Sequence, residues 1–414
     1  MVTEAQYADI PKELGLKISD IAWIWPDNDH GPIPVTHFAD KILSTERMQR
    51  ARHVAIQGLF TGMAAINSGR SVYEHTLGVY YQGLITTRTA QLRQYRLLQQ
   101  LIDLAHDSEK APFAHSLEPT QKLVLGGDHE ELVAKLADEE IGEIAREFGL
   151  DFDEAAKAVR AKHPTPMVND LLHSMFGSDS NAGTFHYARM QYNRNGRPYC
   201  PEAISYCVEQ DDNGRLMLRD RDTVPYNLAV EVKNACDTRR QIFDLIYSVD
   251  IEGPEVLVAR AAHFAFCEGL LDRAFFDMKD SEAAQFLLGC SCPQARSLTE
   301  CASNNRHYER VYLGHFRWPT AEQLSIITDE PNQQVFADRV ASELKIEPEN
   351  VCIHMGRYKG VKDLSNVRIV TADGHDYKPP HGEQYPFVHA YLHPNHVDKR
   401  EQLTAILDEL LLIS

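Results

Sequence analysis

The sequence predicts a mainly α-helical protein with a β-hairpin insertion and a small C-terminal α/β appendage. Three observations carry this expectation. Between residues 44 and 303, segment after segment places apolar residues at helical spacing. Asn213-Gly214 stands between two alternating runs in AISYCVEQDDNGRLMLRD, the pattern of a tight hairpin. From about residue 310 the character changes, and VYLGHF, NVCIHM, NVRIVT and FVHAYLH are short and β-like.

Taken in order, IAWIWPDNDHGPIPV is apolar and punctuated by Pro and Gly, so it reads as short strands or an ordered arm. Ser44-Thr45-Glu46 supplies an N-cap and a first-turn acid for a helix running through Met48 to about Ala65. Helices follow over 72–85 and about 89–107. In the second, Leu92, Tyr95, Leu98, Leu101, Ile102 and Ala105 share one face, and His106-Asp107 falls at the C-terminal end. Residues 108–112 break the pattern. Asp128 with Glu131 three residues on has the form of a capping box, which puts His129 in a first helical turn. Helices are expected over 139–148, 153–162 and 166–176, the last ending near Gly177 just before Asp179. After the hairpin come helices over 225–248, 254–270, 281–289 and 294–303. The appendage adds helices over 333–344 and 398–411. The resulting division is a helical domain over 1–310 and a small α/β domain over 311–414.

Bulk properties narrow the function. The 414 residues are 43% hydrophobic and 25% charged, an ordinary globular balance. A formal charge of −18 argues against a duplex nucleic-acid surface, which needs a field of Lys and Arg. Apolar runs stop well before the roughly 18 residues that cross a bilayer, and the N-terminus lacks a basic region followed by an apolar stretch. A cytoplasmic protein with no membrane partner is expected. Eight scattered cysteines fit a reduced compartment. Cys290, Cys292 and Cys301, with His307 behind them, lack paired zinc spacing and read as buried thiols.

The residue types suited to a divalent ion that activates water beside phosphorus are imidazoles and carboxylates. His75 lies on an apolar helical face, where a histidine taken alone is more often a satisfied core residue than a ligand. His106-Asp107 sits at a helix terminus, where both side chains can address one ion if the backbone turns. The dipeptide alone is common; its company is not. Glu74-His75-Thr76-Leu77-Gly78-Val79 precedes it, and Ala111-Pro112-Phe113-Ala114-His115 follows.

These motifs resemble those of the HD-domain phosphohydrolases of the deoxynucleoside triphosphate triphosphohydrolase (SAM-and-HD-domain) type. That family opens with D-P-x-H-G-x-I, met here by Asp27-Asn28-Asp29-His30-Gly31-Pro32-Ile33, and continues with a helix matched by Gln49-Arg50-Ala51-Arg52 and Gln57. Its E-H-S-L-G-V corresponds to residues 74–79, its H-D-x-x-H-x-P-F-S-H to residues 106–115, and its next H-E to His129-Glu130. Order and spacing hold across residues 27–131.

The resemblance implies that His75, His106 and Asp107 are metal ligands, with Asp179 as the fourth, and that His129 and Glu118 are the catalytic histidine and its acidic partner. It implies a substrate pocket containing Gln57, Arg70, Lys110, His115, Arg239 and Tyr247. His129 also reads as a first-turn surface residue, and Asp179 as a helix-terminating loop aspartate. Several positions depart from the family. Lys110 stands where a second histidine is usual; it neutralises phosphate charge but does not relay a proton at its normal pKa. Val72 replaces a phosphate-contacting arginine, for which Arg70 is the nearby substitute, and Met190 occupies the position of a sugar-contacting acid. These departures fall on sugar and phosphate contacts more than on the metal.

The expected activity is that of a metal-dependent phosphohydrolase acting on a nucleotide, in its most specific form a (deoxy)nucleoside triphosphate triphosphohydrolase in which metal-bound water attacks phosphorus. The alternatives are an HD-type phosphomonoesterase or alarmone hydrolase, and a non-catalytic nucleotide-binding scaffold. Iron, manganese, zinc, magnesium and cobalt all suit mixed nitrogen and oxygen ligands. The expected partner is a small phosphate ester or nucleotide, and the resemblance also implies a homo-oligomer.

Overall fold

The computed structural model describes residues 12–27, 30–56, 70–160, 199–214, 216–221, 227–304, 306, 308–328, 332–358, 360, 367–378 and 384–411. Among them, seventeen α-helices stand against eight short strands. The protein is mainly helical.

The arm that opens the chain is a hairpin. β1 (Ile21–Asp27) pairs antiparallel with β2 (Gly31–Thr36). Thr36 and Thr45 cap α1 (His37–Leu43) and α2 (Glu46–Ala51) by accepting from Ala39 and Met48 N–H. The helix expected to reach residue 65 is already over by Ala51, and residues 57–69 lie outside the described residues. α3 (Val72–Thr86) starts from a reciprocal capping box between Ser71 and Glu74. α4 (Arg96–Ala105) begins later than the periodicity from residue 89 predicts. The Arg96 guanidinium donates to the carbonyls of Leu14, Gly15 and Thr87, and serving them at once holds the preceding residues in a turn.

Four short helices follow: α5 (Glu118–Leu125), α6 (His129–Leu132), α7 (Glu140–Glu147) and α8 (Phe152–Arg160), the last of them packed on α4. The expected helix over 166–176 falls outside the described residues. AISYC is not a strand: Pro201 opens α9 (Pro201–Tyr206), and only β3 (Val208–Gln210) and β4 (Leu216–Arg219) form the hairpin. Gly214, at φ +76°, makes its turn.

α10 (Leu228–Ile246) and α11 (Val249–Cys267) follow, then α12 (Arg273–Phe276), α13 (Asp280–Gly289) and α14 (Pro293–Ser303). α11 starts five residues earlier than expected, and Pro254 lies inside it as the sixth residue, where its ring offers no N–H to the Asp250 carbonyl. The remaining elements are β5 (Glu309–His315), α15 (Ala321–Ile327), α16 (Gln333–Leu344), β6 (Val351–Arg357), β7 (Arg368–Val370), β8 (Pro386–Leu392) and α17 (Arg400–Leu410). β5 and β6 flank β8 in an antiparallel sheet, whereas β7 pairs parallel with β4 and extends the hairpin far back in the chain.

One apolar core joins the N-terminal hairpin to α1, α3, α4, α7 and α8, and a second is built around α11, α13 and α14. A third fills the space between the β5–β8–β6 sheet and α16 and α17. Residues 106–115 run from the first core to the second. All eight cysteines are free thiols. Among the described residues no helix is long and apolar enough to cross a membrane.

Candidate metal centre

The site begins where α3 and α4 lie against each other. Gly83 permits the approach: a Cβ there would stand 1.8 Å from Asp103 Oδ2 and 3.1 Å from Gln99 Cγ. Asp103 is fully buried, and its Oδ1 accepts from Gln99 Nε2 at 2.6 Å. His75 lies near the start of α3. His106 closes α4, and its Nδ1 lies 2.8 Å from the Asp103 carbonyl oxygen. A carbonyl only accepts, so Nδ1 carries a proton and Nε2 is the nitrogen on the side of Asp107.

Asp107 follows directly. Its Oδ2 is 3.5 Å from His106 Nε2 and 3.8 Å from His75 Nε2, and the two rings meet edge to face with centroids 5.6 Å apart. One ligand atom from each of the three buried residues lies within 4.8 Å of the others. Among the described residues, two imidazole nitrogens and one carboxylate oxygen fit a divalent ion and leave coordination positions for further ligands.

Charge around this set is balanced by two further groups. Lys110, one turn on and buried, places Nζ 3.1 Å from each Asp107 oxygen. Burial alone would raise the Asp107 pKa, but Lys110, His106 and His129 outweigh it and hold the carboxyl well below its usual range. His129, first residue of α6, directs Nε2 to Asp107 Oδ1 at 3.4 Å and Nδ1 to Glu118 Oε1 at 2.8 Å. Burial and Lys110 push this imidazole down; Glu118 and Asp107 push it further up, to about 10. Desolvation opposes ionisation of Glu118, yet His115 and His129 keep it well below the usual carboxylate range. His115 is exposed and reaches the same Glu118 oxygen at 2.6 Å. Asp107, Lys110, His129, Glu118 and His115 therefore form one continuous chain of charge.

The turn that carries this chain is held from outside. Phe113 and Ala114 adopt left-handed φ values of 59° and 51°, at a cost on the order of 1 kcal/mol each. Asp280 accepts from the Phe113 N–H at 2.9 Å and from the Ala55 N–H at 2.8 Å, and Arg50 donates to the Lys110 carbonyl at 3.0 Å.

The other expected residues lie around or away from this centre. Arg70 forks onto both oxygens of Asp27, at 3.0 and 3.1 Å, and donates to the Glu74 carbonyl at the head of α3. Arg239 lies over the Phe243 ring at 4.7 Å. Tyr247 ends α10 among Phe387, Tyr358, His354 and His389, with the Phe387 centroid 4.7 Å away. Gln57 and Asp179 lie outside the described residues.

Two features escaped the sequence reading. Asp103, which orients His106, carries no signal of its own: it shares the polar side of an amphipathic helix with Arg96, Gln99 and Gln100, where a solvent-facing acid is the ordinary expectation. Glu252, His354 and His389 are a second group whose ligand atoms lie within 4.8 Å of one another. Its signal is a histidine inside FVHAYL, where all seven strand residues from Pro386 to Leu392 are buried.

No protein-family model and no curated protein sequence matches the chain. Solved structures do. A phosphohydrolase from Bacteroides thetaiotaomicron is similar with a TM-score of 0.64 and 14% identity, covering 89% of this chain and 99% of that one. A hypothetical protein from Aquifex aeolicus is similar with a TM-score of 0.68 and 16% identity, covering 92% of this chain and 99% of that one. At these identities the likeness is one of architecture: the chain has a phosphohydrolase-like fold.

Proposed function

We propose that this chain is a metal-dependent phosphohydrolase of the HD type acting on a nucleotide, in its most specific form a (deoxy)nucleoside triphosphate triphosphohydrolase. The observation that carries the reading is the convergence of His75, His106 and Asp107, flanked by Lys110 and the His129–Glu118 pair. A phosphohydrolase-like fold supports it.

In this reading His75, His106 and Asp107 hold a divalent ion of iron, manganese, zinc, magnesium or cobalt, with Asp179 as a fourth ligand. When bound, the ion supplies Lewis acidity toward phosphoryl oxygens and acidifies water. Lys110 brings its ammonium to the charge that develops on the phosphoryl group. Glu118 fixes His129 through Nδ1, so proton movement takes place at Nε2, on the side of Asp107. Gln57, Arg70 and His115 serve the phosphates, and Arg239 and Tyr247 the nucleoside. A phosphomonoesterase or alarmone hydrolase is the second reading, favoured by Val72, Lys110 and Met190 at positions that would otherwise serve sugar and phosphate.

The test is metal content by mass spectrometry, followed by phosphate release from a panel of nucleotides, alarmones and phosphomonoesters. His106→Ala and Asp107→Ala are expected to lose both metal and turnover. A native protein that hydrolyses none of the panel with any of these ions, and variants that bind nucleotide as tightly as it does, would reduce the chain to a binding scaffold.

A further inference from the structure

The face of the β5–β8–β6 sheet turned toward α11 carries imidazoles where packing alone would call for apolar side chains. His389 of β8 stands directly opposite His354 of β6 in the antiparallel register. Glu252, on α11 and 2% exposed, faces both. Burial of a carboxylate is costly unless it is paired or bound to a cation.

His389 Nδ1 lies between the two oxygens of Glu252, 2.7 Å from Oε2 and 2.9 Å from Oε1. Oε2 accepts the Tyr391 hydroxyl and lies 3.4 Å from Arg310, whose guanidinium also donates to the Tyr247 carbonyl at 2.6 Å. Oε1 faces the Nδ1 atoms of both His354 and His389, the latter at 2.9 Å. Tyr391 and Arg310 thus hold the carboxylate at Oε2, His354 meets it at Oε1, and His389 faces both oxygens. His354 is half-buried and gives the group a route to solvent. On the far side of its ring, His389 Nε2 lies 3.5 Å from His315 Nε2.

We propose that Glu252, His354 and His389 form a second divalent-metal site, taking a borderline ion such as Zn2+ or Co2+ through Glu252 Oε1 and the two Nδ1 atoms. Tyr391 and Arg310 are the outer groups that orient the carboxylate, as ligand carboxylates require. The ring protons that now point to Glu252 move to Nε2, where His389 donates to His315. Arg310 adds a positive charge close by, which disfavours weakly held hard ions such as Mg2+ and leaves nitrogen affinity to select the metal. An ion here ties α11 to β6 and β8 through ligands from three separate elements. None of these residues belongs to the His75 centre, so the site stands whether or not that centre is catalytic.

The test strips the full-length protein with a chelator, reloads it with Co2+, and reads cobalt per chain by mass spectrometry together with the visible absorption of Co2+. A chain carrying His106→Ala and Asp107→Ala is expected to keep about one cobalt, to show its absorption, and to melt higher with cobalt than without. Adding His354→Ala removes all three signals. Should the double variant not fold, the native protein and His354→Ala give the same decision: the loss of about one cobalt supports the site, and an unchanged count overturns it. A folded double variant that holds no cobalt also overturns it, leaving Glu252 as a hydrogen-bonded strut. Failure of the catalytic reading looks different: native cobalt is lost with His354→Ala and unaffected by His106→Ala.

Discussion

Gly83 and Asp103 meet so closely that a single methyl group does not fit between them: a Cβ at Gly83 would stand 1.8 Å from Asp103 Oδ2. The same aspartate accepts His106 Nδ1 on its carbonyl, so helix packing and ligand orientation share one residue. Gly83→Ala gains up to about 1 kcal/mol of helix propensity but overpacks a closed contact at a cost of about 1–3 kcal/mol. Net destabilisation and lower metal occupancy are expected, by urea unfolding and mass spectrometry. Native stability with full occupancy would show that α3 and α4 do not meet in this way.

Glu118 and His129 are expected to affect turnover without affecting the ion. Glu118→Gln takes the negative charge from His129 Nδ1 and should lower kcat about 100-fold at unchanged metal content. His129→Ala should lower it at least as far, and the double variant little further, since the pair acts as a unit. Parallel loss of metal and kcat would instead assign both residues a structural role.

Much of this was legible in the sequence because the information is local. His106, Asp107 and Lys110 fall within one turn at a helix end, and the Asp128–Glu131 capping box announces the start of α6 and so the place of His129. Pairings made across long distances were not legible. NVRIVT reads as a strand, but nothing in it shows that β7 joins β4, some 150 residues earlier, instead of its neighbours β6 and β8. Arg96 looks like any helical residue until its three carbonyl partners place it at the head of α4. Glu252 sits in a helix and His354 and His389 in two strands, so only the folded sheet brings them to one carboxylate.

Asp107 and Lys110 offer a test of the site that needs no substrate. Both are buried, and each Asp107 oxygen lies 3.1 Å from Nζ. Asp107→Asn leaves a buried ammonium facing a neutral amide, which should cost about 3 kcal/mol of unfolding free energy. Adding Lys110→Met removes the stranded charge and should restore much of that loss. Unfolding in excess chelator keeps the ion's own contribution out of the comparison. Equal stability of the single and double variants would mean that Lys110 does not depend on Asp107.

Asp280 gives the fold a pH dependence of defined sign. Burial pushes its carboxyl up from 3.8 to about 6, against the N–H groups of Ala55 and Phe113 and the Arg50 guanidinium. Between those two values the folded chain holds a proton that the unfolded chain has released, so this residue's contribution to stability falls as pH rises from about 4 to about 6 and is level above that. The span corresponds to on the order of 3 kcal/mol. Asp280→Asn cannot ionise and keeps one acceptor for the two N–H groups. The stability of the native protein relative to this variant should therefore decline by that order between pH 4 and pH 7, read from urea unfolding at several pH values. A difference that stays flat would mean that the carboxyl ionises normally in the folded protein, and that the strained turn at Phe113 is held by a charge costing nothing to bury.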